Sequence, residues 1–175
     1  MIYFISGGCK NGKSYYAQQL AKKHNAGKMY YVATMIPHDE EDLARIRRHI
    51  SERDGWGFET IEEPLKLSNI TENLDGSYLV DSLTALVQNN MFREDGSFVE
   101  DAGHLVFREL EAFIKKLRDN GGNAVFVSDY IYSDAIFYDE MVEQYKKELA
   151  YVDRKLAELA DQVYEVCYSN IKEWK

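Results

Sequence analysis

Short apolar runs alternate with stretches of helical periodicity along this chain. Residues 2–6 form an apolar run that stops at Gly7-Gly8 and reads as a buried strand. From Lys13 to about His24, helix formers carry Ala17, Leu20 and Ala21 at helical spacing. Residues 28–34 read as a second strand. After Pro37, acids at positions 39–42 precede Leu43, Ile46 and Ile50, the spacing of an amphipathic helix whose acidic first turn suits the positive end of its dipole. Gly55 and Gly57 end that helix. Residues 58–61 are a candidate short strand, and Glu62-Glu63-Pro64 turns the chain. Residues 78–81 make a strand ending in an acid, 83–92 a helix, 93–103 a polar loop, and 104–120 a strong helix closed by Gly121-Gly122. Residues 124–128 are a buried strand, 139–159 a long charged helix, and 162–167 a last strand. Strands alternating with helices predict an α/β fold, a mostly parallel sheet covered on both faces. Ligands in such folds sit at the carboxyl ends of the strands.

Length and charge narrow the picture. The 175 residues predict a single domain, 1–175, with 45% hydrophobic and 29% charged residues, an ordinary globular composition. A net charge of −9 argues against a nucleic-acid partner, so a phosphate pocket has to be a local basic feature. The two cysteines, Cys9 and Cys167, make no disulfide framework and read as reduced thiols of a cytoplasmic protein. The amino terminus has no basic n-region, and no apolar run is long enough to span a membrane.

The sharpest chemistry is in Gly7-Gly8-Cys9-Lys10-Asn11-Gly12-Lys13-Ser14, which fits the phosphate-loop pattern G-x-x-x-x-G-K-[ST] in full. Its glycines allow backbone angles that turn several N–H groups inward, and the helix that follows aims its positive end at the same anion. Lys13 is expected to reach the β- and γ-phosphates of GTP or ATP, and Ser14 to ligate Mg²⁺. The context fits, with an apolar strand before the loop and helical spacing after it. Asp81, an acid ending an apolar strand, is the candidate second ligand of Mg²⁺. Such acids are common at strand ends and can be solvent-facing caps, but beside a phosphate loop the metal-ligand reading is favoured.

On the acidic helix, Arg45, His49 and Arg53 fall along one side. A histidine held among arginines is disfavoured as imidazolium and remains nucleophilic, while the arginines hold phosphates. That arrangement suits attack on an α-phosphate. From the spacing alone, a solvated charged helix with Glu41–Arg45 as an i,i+4 pair is the better reading.

Taken together, these segments resemble the bifunctional adenosylcobinamide kinase / adenosylcobinamide-phosphate guanylyltransferase family. The matching pieces are the phosphate loop at Gly7 to Ser14, the strand Tyr31-Val32-Ala33-Thr34, and a helix with Asp39, Glu41, Arg45, Ile46, His49 and Arg53. Trp56, Glu62-Glu63-Pro64, the segment Val80 to Thr84, and the segment Leu156 to Tyr164 follow in the family's order. The resemblance implies a RecA-like P-loop NTPase fold and a homo-oligomer, a trimer. It implies phosphorylation of adenosylcobinamide and transfer of GMP from GTP to the product through a guanylyl-histidine. By position, His49 would be guanylylated, and Ala33, Thr34, Ile50, Arg53, Glu62 and Asp81 would lie near the nucleotide. The chain departs from the family where Ser-Asn-Glu-Val-Gly-x-Gly-Ile-Val-Pro gives way to Ser128-Asp129-Tyr130-Ile131-Tyr132-Ser133-Asp134-Ala135, without its glycines and proline, and where Gly-Arg-x-Asn-Gln gives way to Ala150-Tyr151-Val152-Asp153-Arg154. These changes bear on the acceptor more than on the nucleotide. Two alternatives stay open: a P-loop kinase or nucleotidyltransferase of another small molecule, and a GTP-binding module without catalysis.

Overall fold

A computed structural model describes residues 1–25, 27–93 and 95–175. Among them are seven strands in one sheet: β1 (Ile2–Gly7), β2 (Met29–Ala33), β3 (Phe58–Glu62), β4 (Ser77–Asp81), β5 (Asn123–Asp129), β6 (Gln162–Cys167) and β7 (Asn170–Glu173). The helices are α1 (Lys13–Lys23), α2 (Glu40–Glu52), α3 (Leu83–Met91), α4 (Ala102–Asn120) and α5 (Glu140–Leu159). The sheet runs β3-β2-β4-β5-β1-β6-β7, with every pair parallel except β6 with β7.

The two-residue period of a strand sorts the core into two layers. Ile2, Phe4, Tyr30, Val32, Tyr78, Val80, Ala124 and Phe126 face one side, where α3, α4 and α5 cover them with Leu86, Leu110, Phe113 and Leu149. Tyr3, Ile5, Tyr31, Leu79, Val125 and Val127 face the other, where Ala17, Leu20 and Ala21 of α1 pack. Central strands are thus apolar at both parities, which is why they read as continuous runs rather than alternating ones.

Local signals set the helix ends. Asp39, Ser82 and Asp139 each accept from the backbone N–H three residues on, at 2.8, 3.3 and 2.9 Å, and so cap α2, α3 and α5. Gly121, at φ 79°, closes α4. Three features differ from the sequence expectation. First, α4 begins at Ala102, ahead of the expected His104. Second, the loop before it is not wholly polar in its contacts, for Phe92 and Phe98 form a β-bridge with ring centroids 5.9 Å apart; Glu94 of that loop lies outside the described residues. Third, β7 has no counterpart in the expectation.

Helix α2 is the outlier in packing. It has the predicted amphipathic pattern, yet none of its residues is buried. Leu43 and Ile50 remain 37% and 54% exposed. Among the described residues, no helix is long and apolar enough to cross a membrane.

Candidate functional site

At the carboxyl ends of the parallel strands, a cavity of about 960 Å³ opens between the phosphate loop and α2. The apolar stripe of α2, Leu43, Ile46 and Ile50, lines this cavity instead of the core. Cys9, Lys10, Asn11, Gly12, Lys13, Ser14, Ala33, His49, Arg53, Glu62 and Asp81 line it as well. Of the residues proposed from sequence, Gly7, Gly8 and Thr34 lie outside that lining.

Gly7 ends β1 where a Cβ would collide with the Val166 carbonyl oxygen of β6 and press on the Lys13 side chain, so only glycine fits. Gly12 sits at φ 88° in the left-handed region and starts α1, whose Tyr16 N–H donates to the Gly12 carbonyl at 3.1 Å. The turn between β6 and β7 braces the loop, Ser169 N–H donating to the Asn11 carbonyl at 3.2 Å.

Lys13 is buried, and its Nζ donates to the Gly8 carbonyl and to Asp129 Oδ1, both at 2.6 Å. Two strands away from β1, Asp81 Oδ2 accepts from Ser14 Oγ and from Tyr31 OH, each at 3.2 Å. His49 Nδ1 lies 3.9 Å from the same oxygen, longer than a hydrogen bond. Burial raises the Asp81 carboxyl above the usual carboxylate range, with His49 and the two hydroxyls opposing. Tyr31 is pushed well above an ordinary tyrosine, first by burial and then by the Asp81 charge. The Arg53 guanidinium lies 3.4 Å from the centroid of the Tyr31 ring.

Of the row Arg45, His49 and Arg53, all three line the cavity, with Arg53 turned to the face of Tyr31. Arg47 and Arg48, outside that row, reach Glu40 and Glu52, each at 3.9 Å. The charged group brought to His49 is a carboxylate, Asp81, because α2 hangs over the end of β4. Thr34 is fully buried, and its hydroxyl is committed to Ser82, donating to its carbonyl and accepting from its N–H, both at 2.8 Å. Its place is to tie the end of β2 to the turn after β4.

Asp129, Tyr31 and Gln18 also line the cavity and did not stand out in the sequence. Asp129 carries the same signal that marked Asp81, an acid ending an apolar strand. Gln18 is buried one turn beyond Ser14, with its Oε1 unpartnered among the described residues.

Ser14 Oγ and the Asp81 carboxyl, already joined by a hydrogen bond, together offer oxygens to a hard cation. Among the described residues, no group of three or more His, Cys, Asp or Glu side chains could hold a metal unaided. A cation here would take its other ligands from phosphate and water, which suits Mg²⁺.

A family model described as cobinamide kinase / cobinamide phosphate guanyltransferase matches residues 3–170. Among solved structures, an ATPase domain superposes with a TM-score of 0.51 at 11% identity, over 94% of this chain and 68% of that one. At that identity the likeness is one of fold. No curated protein matches significantly.

Proposed function

The chain belongs to the cobinamide kinase / cobinamide phosphate guanyltransferase family, and on that premise we propose that it phosphorylates adenosylcobinamide and then transfers GMP from GTP to the phosphate through a guanylyl-histidine at His49. The observation that carries this reading is the position of His49, whose ring stands 3.9 Å from the carboxylate that also binds the phosphate-loop serine.

The loop from Gly7 to Ser14 would cradle the triphosphate with its backbone N–H groups. Lys13 has two of its three N–H groups on Gly8 and Asp129, and the third is available to a phosphate oxygen. Mg²⁺ held by Ser14 and Asp81 would neutralise charge building on the β- and γ-phosphates. In the guanylyl step, Nδ1 faces Asp81, which leaves Nε2 as the attacking atom. An Nε2–Pα bond forms, the bond from Pα to the bridging oxygen breaks, and pyrophosphate leaves with the electron pair. The positive charge gained by the ring then lies beside Asp81. Arg53, Ile50, Glu62 and Ala33 would border the nucleoside.

The test is intact-mass measurement after incubation with GTP and Mg²⁺, without acceptor, beside His49→Ala. We expect an acid-labile GMP adduct on the native chain and none on the variant. Nucleotide binding with no adduct from GTP or ATP would remove His49 from the mechanism.

A second reading keeps the nucleotide chemistry and changes the acceptor. It is favoured by the segment after β5, where Tyr132, Asp134 and Lys146 border a separate cavity of about 380 Å³. Phosphorylation of cobinamide in a direct assay decides between the two.

A further inference from the structure

We propose that Asp129 is the base that takes the proton from the hydroxyl attacking the γ-phosphorus. This rests on the kinase half of the function above, and it names the group which that reading leaves open.

Among the described residues, four carboxylates line the cavity: Glu52, Glu62, Asp81 and Asp129. Glu62 ends β3, four strands from β1 in the sheet order. At about 4.8 Å per strand, that places it about 19 Å from the phosphate-loop strand. Glu52 lies on α2, paired with Arg48. Asp81 is bound by Ser14 and Tyr31, and a carboxylate that serves a metal is a poor proton acceptor.

Asp129 is the acid that remains, and it is held in place from both sides. It stands directly opposite Gly7 in the β1–β5 register. Its backbone N–H donates to Thr84 Oγ1 at 3.0 Å, and the next N–H, that of Tyr130, donates to the Gly7 carbonyl at 3.3 Å. One carboxylate oxygen, Oδ1, holds Lys13. The other accepts no protein hydrogen bond among the described residues, and the side chain keeps 31% of its surface open. The ammonium that meets the β- and γ-phosphates therefore carries a carboxylate beside it, with one oxygen free to face the cavity.

The step balances simply. The acceptor oxygen forms a bond to Pγ as the bond from Pγ to the β,γ-bridging oxygen breaks, and the nucleoside diphosphate leaves with that electron pair. The hydroxyl proton passes to the free oxygen of Asp129 and from there to solvent. Water in place of the alcohol follows the same path, giving slow hydrolysis.

Asp129→Asn tests this because the amide oxygen still accepts from Lys13 while basicity is lost. Two quantities are measured on the full chain: affinity for a non-hydrolysable GTP or ATP analogue, and γ-phosphoryl transfer to cobinamide and to water. We expect binding within about threefold of native and transfer lowered by about 10²–10⁴-fold, the usual worth of a general base. Asp129→Glu should recover part of the rate. Transfer near the native rate in Asp129→Asn overturns the proposal. So does parallel loss of binding and transfer, which would mark a structural ion pair. Native hydrolysis without cobinamide phosphorylation removes the acceptor reading and leaves the water reaction to judge Asp129. A native chain that transfers to neither removes both.

Discussion

Asp153 on α5 is 3% exposed, and its two oxygens are treated unequally. Oδ2 accepts from Ser128 Oγ and from Tyr132 OH, each at 2.9 Å, whereas Oδ1 has no partner among the described residues. Burial pushes this carboxyl from 3.8 up to about 7, against the pull of the two hydroxyls and with some help from the Asp129 charge. The folded chain thus holds the proton to about pH 7, while the unfolded chain releases it near 3.8. In that window the unfolded state binds fewer protons, so stability falls as pH rises. The contribution is complete below about pH 4 and lost above about pH 7. At about 1.4 kcal/mol per pH unit, its full size is about 4 kcal/mol, of which about 3 lies between pH 5 and pH 8. Asp153→Asn removes the ionisation but places an N–H₂ where Oδ1 has no neighbour to accept from it, a cost of about 1–3 kcal/mol. The variant should therefore be more stable than native by about 1–3 kcal/mol near pH 8, and equal or less stable near pH 5. Urea denaturation of both proteins at the two pH values, read as midpoint and slope, measures the difference. An effect of the substitution that is the same at both pH values would refute the assignment of a protonated, desolvated carboxyl.

Two further outcomes follow from the phosphate loop. Gly7→Ala drives a methyl into the Val166 carbonyl and Lys13, so nucleotide affinity should fall together with a loss of about 1–3 kcal/mol in unfolding free energy, both measurable by titration and denaturation. Ser14→Ala removes a hydroxyl from Asp81 and from the proposed cation site; nucleotide titration should show the Mg²⁺-dependent part of the affinity shrinking while the metal-free part stays.

Much of this arrangement was legible in the residues. The central strands are apolar at both parities, and the acidic first turn of α2 and the glycine pair after α4 mark helix ends in the residues themselves. What stayed hidden had physical reasons. All of β7 is exposed and reads Asn-Ile-Lys-Glu, so nothing in its polarity distinguishes it from a tail; it exists because β6 offers an open edge. The stripe on α2 has the spacing of a core-facing helix, and periodicity reports that a face is apolar, not whether core or cavity receives it. His49 could be placed on that helix, but its meeting with Asp81 joins positions on two different elements. Asp129 carried the same local mark as Asp81, yet only the register opposite Gly7 gives it meaning.

The order of strands in the sheet also has a consequence for biosynthesis. The strand that leads into the phosphate loop, β1, lies between β5 and β6, and Ile2 N–H donates to a carboxylate 159 positions later in the chain. During translation, β1 leaves the ribosome long before β6, and must wait for it before both its edges are paired. Contacts of such long separation form slowly, because loop closure comes before any of their reward. Until β6 emerges, an apolar segment ending in the glycine loop is left with an open edge, the kind of surface that chaperones hold. Because Ser169, beyond β6, braces the loop at Asn11, that loop can settle only after β6 has been made, and nascent chains short of that strand should bind nucleotide poorly.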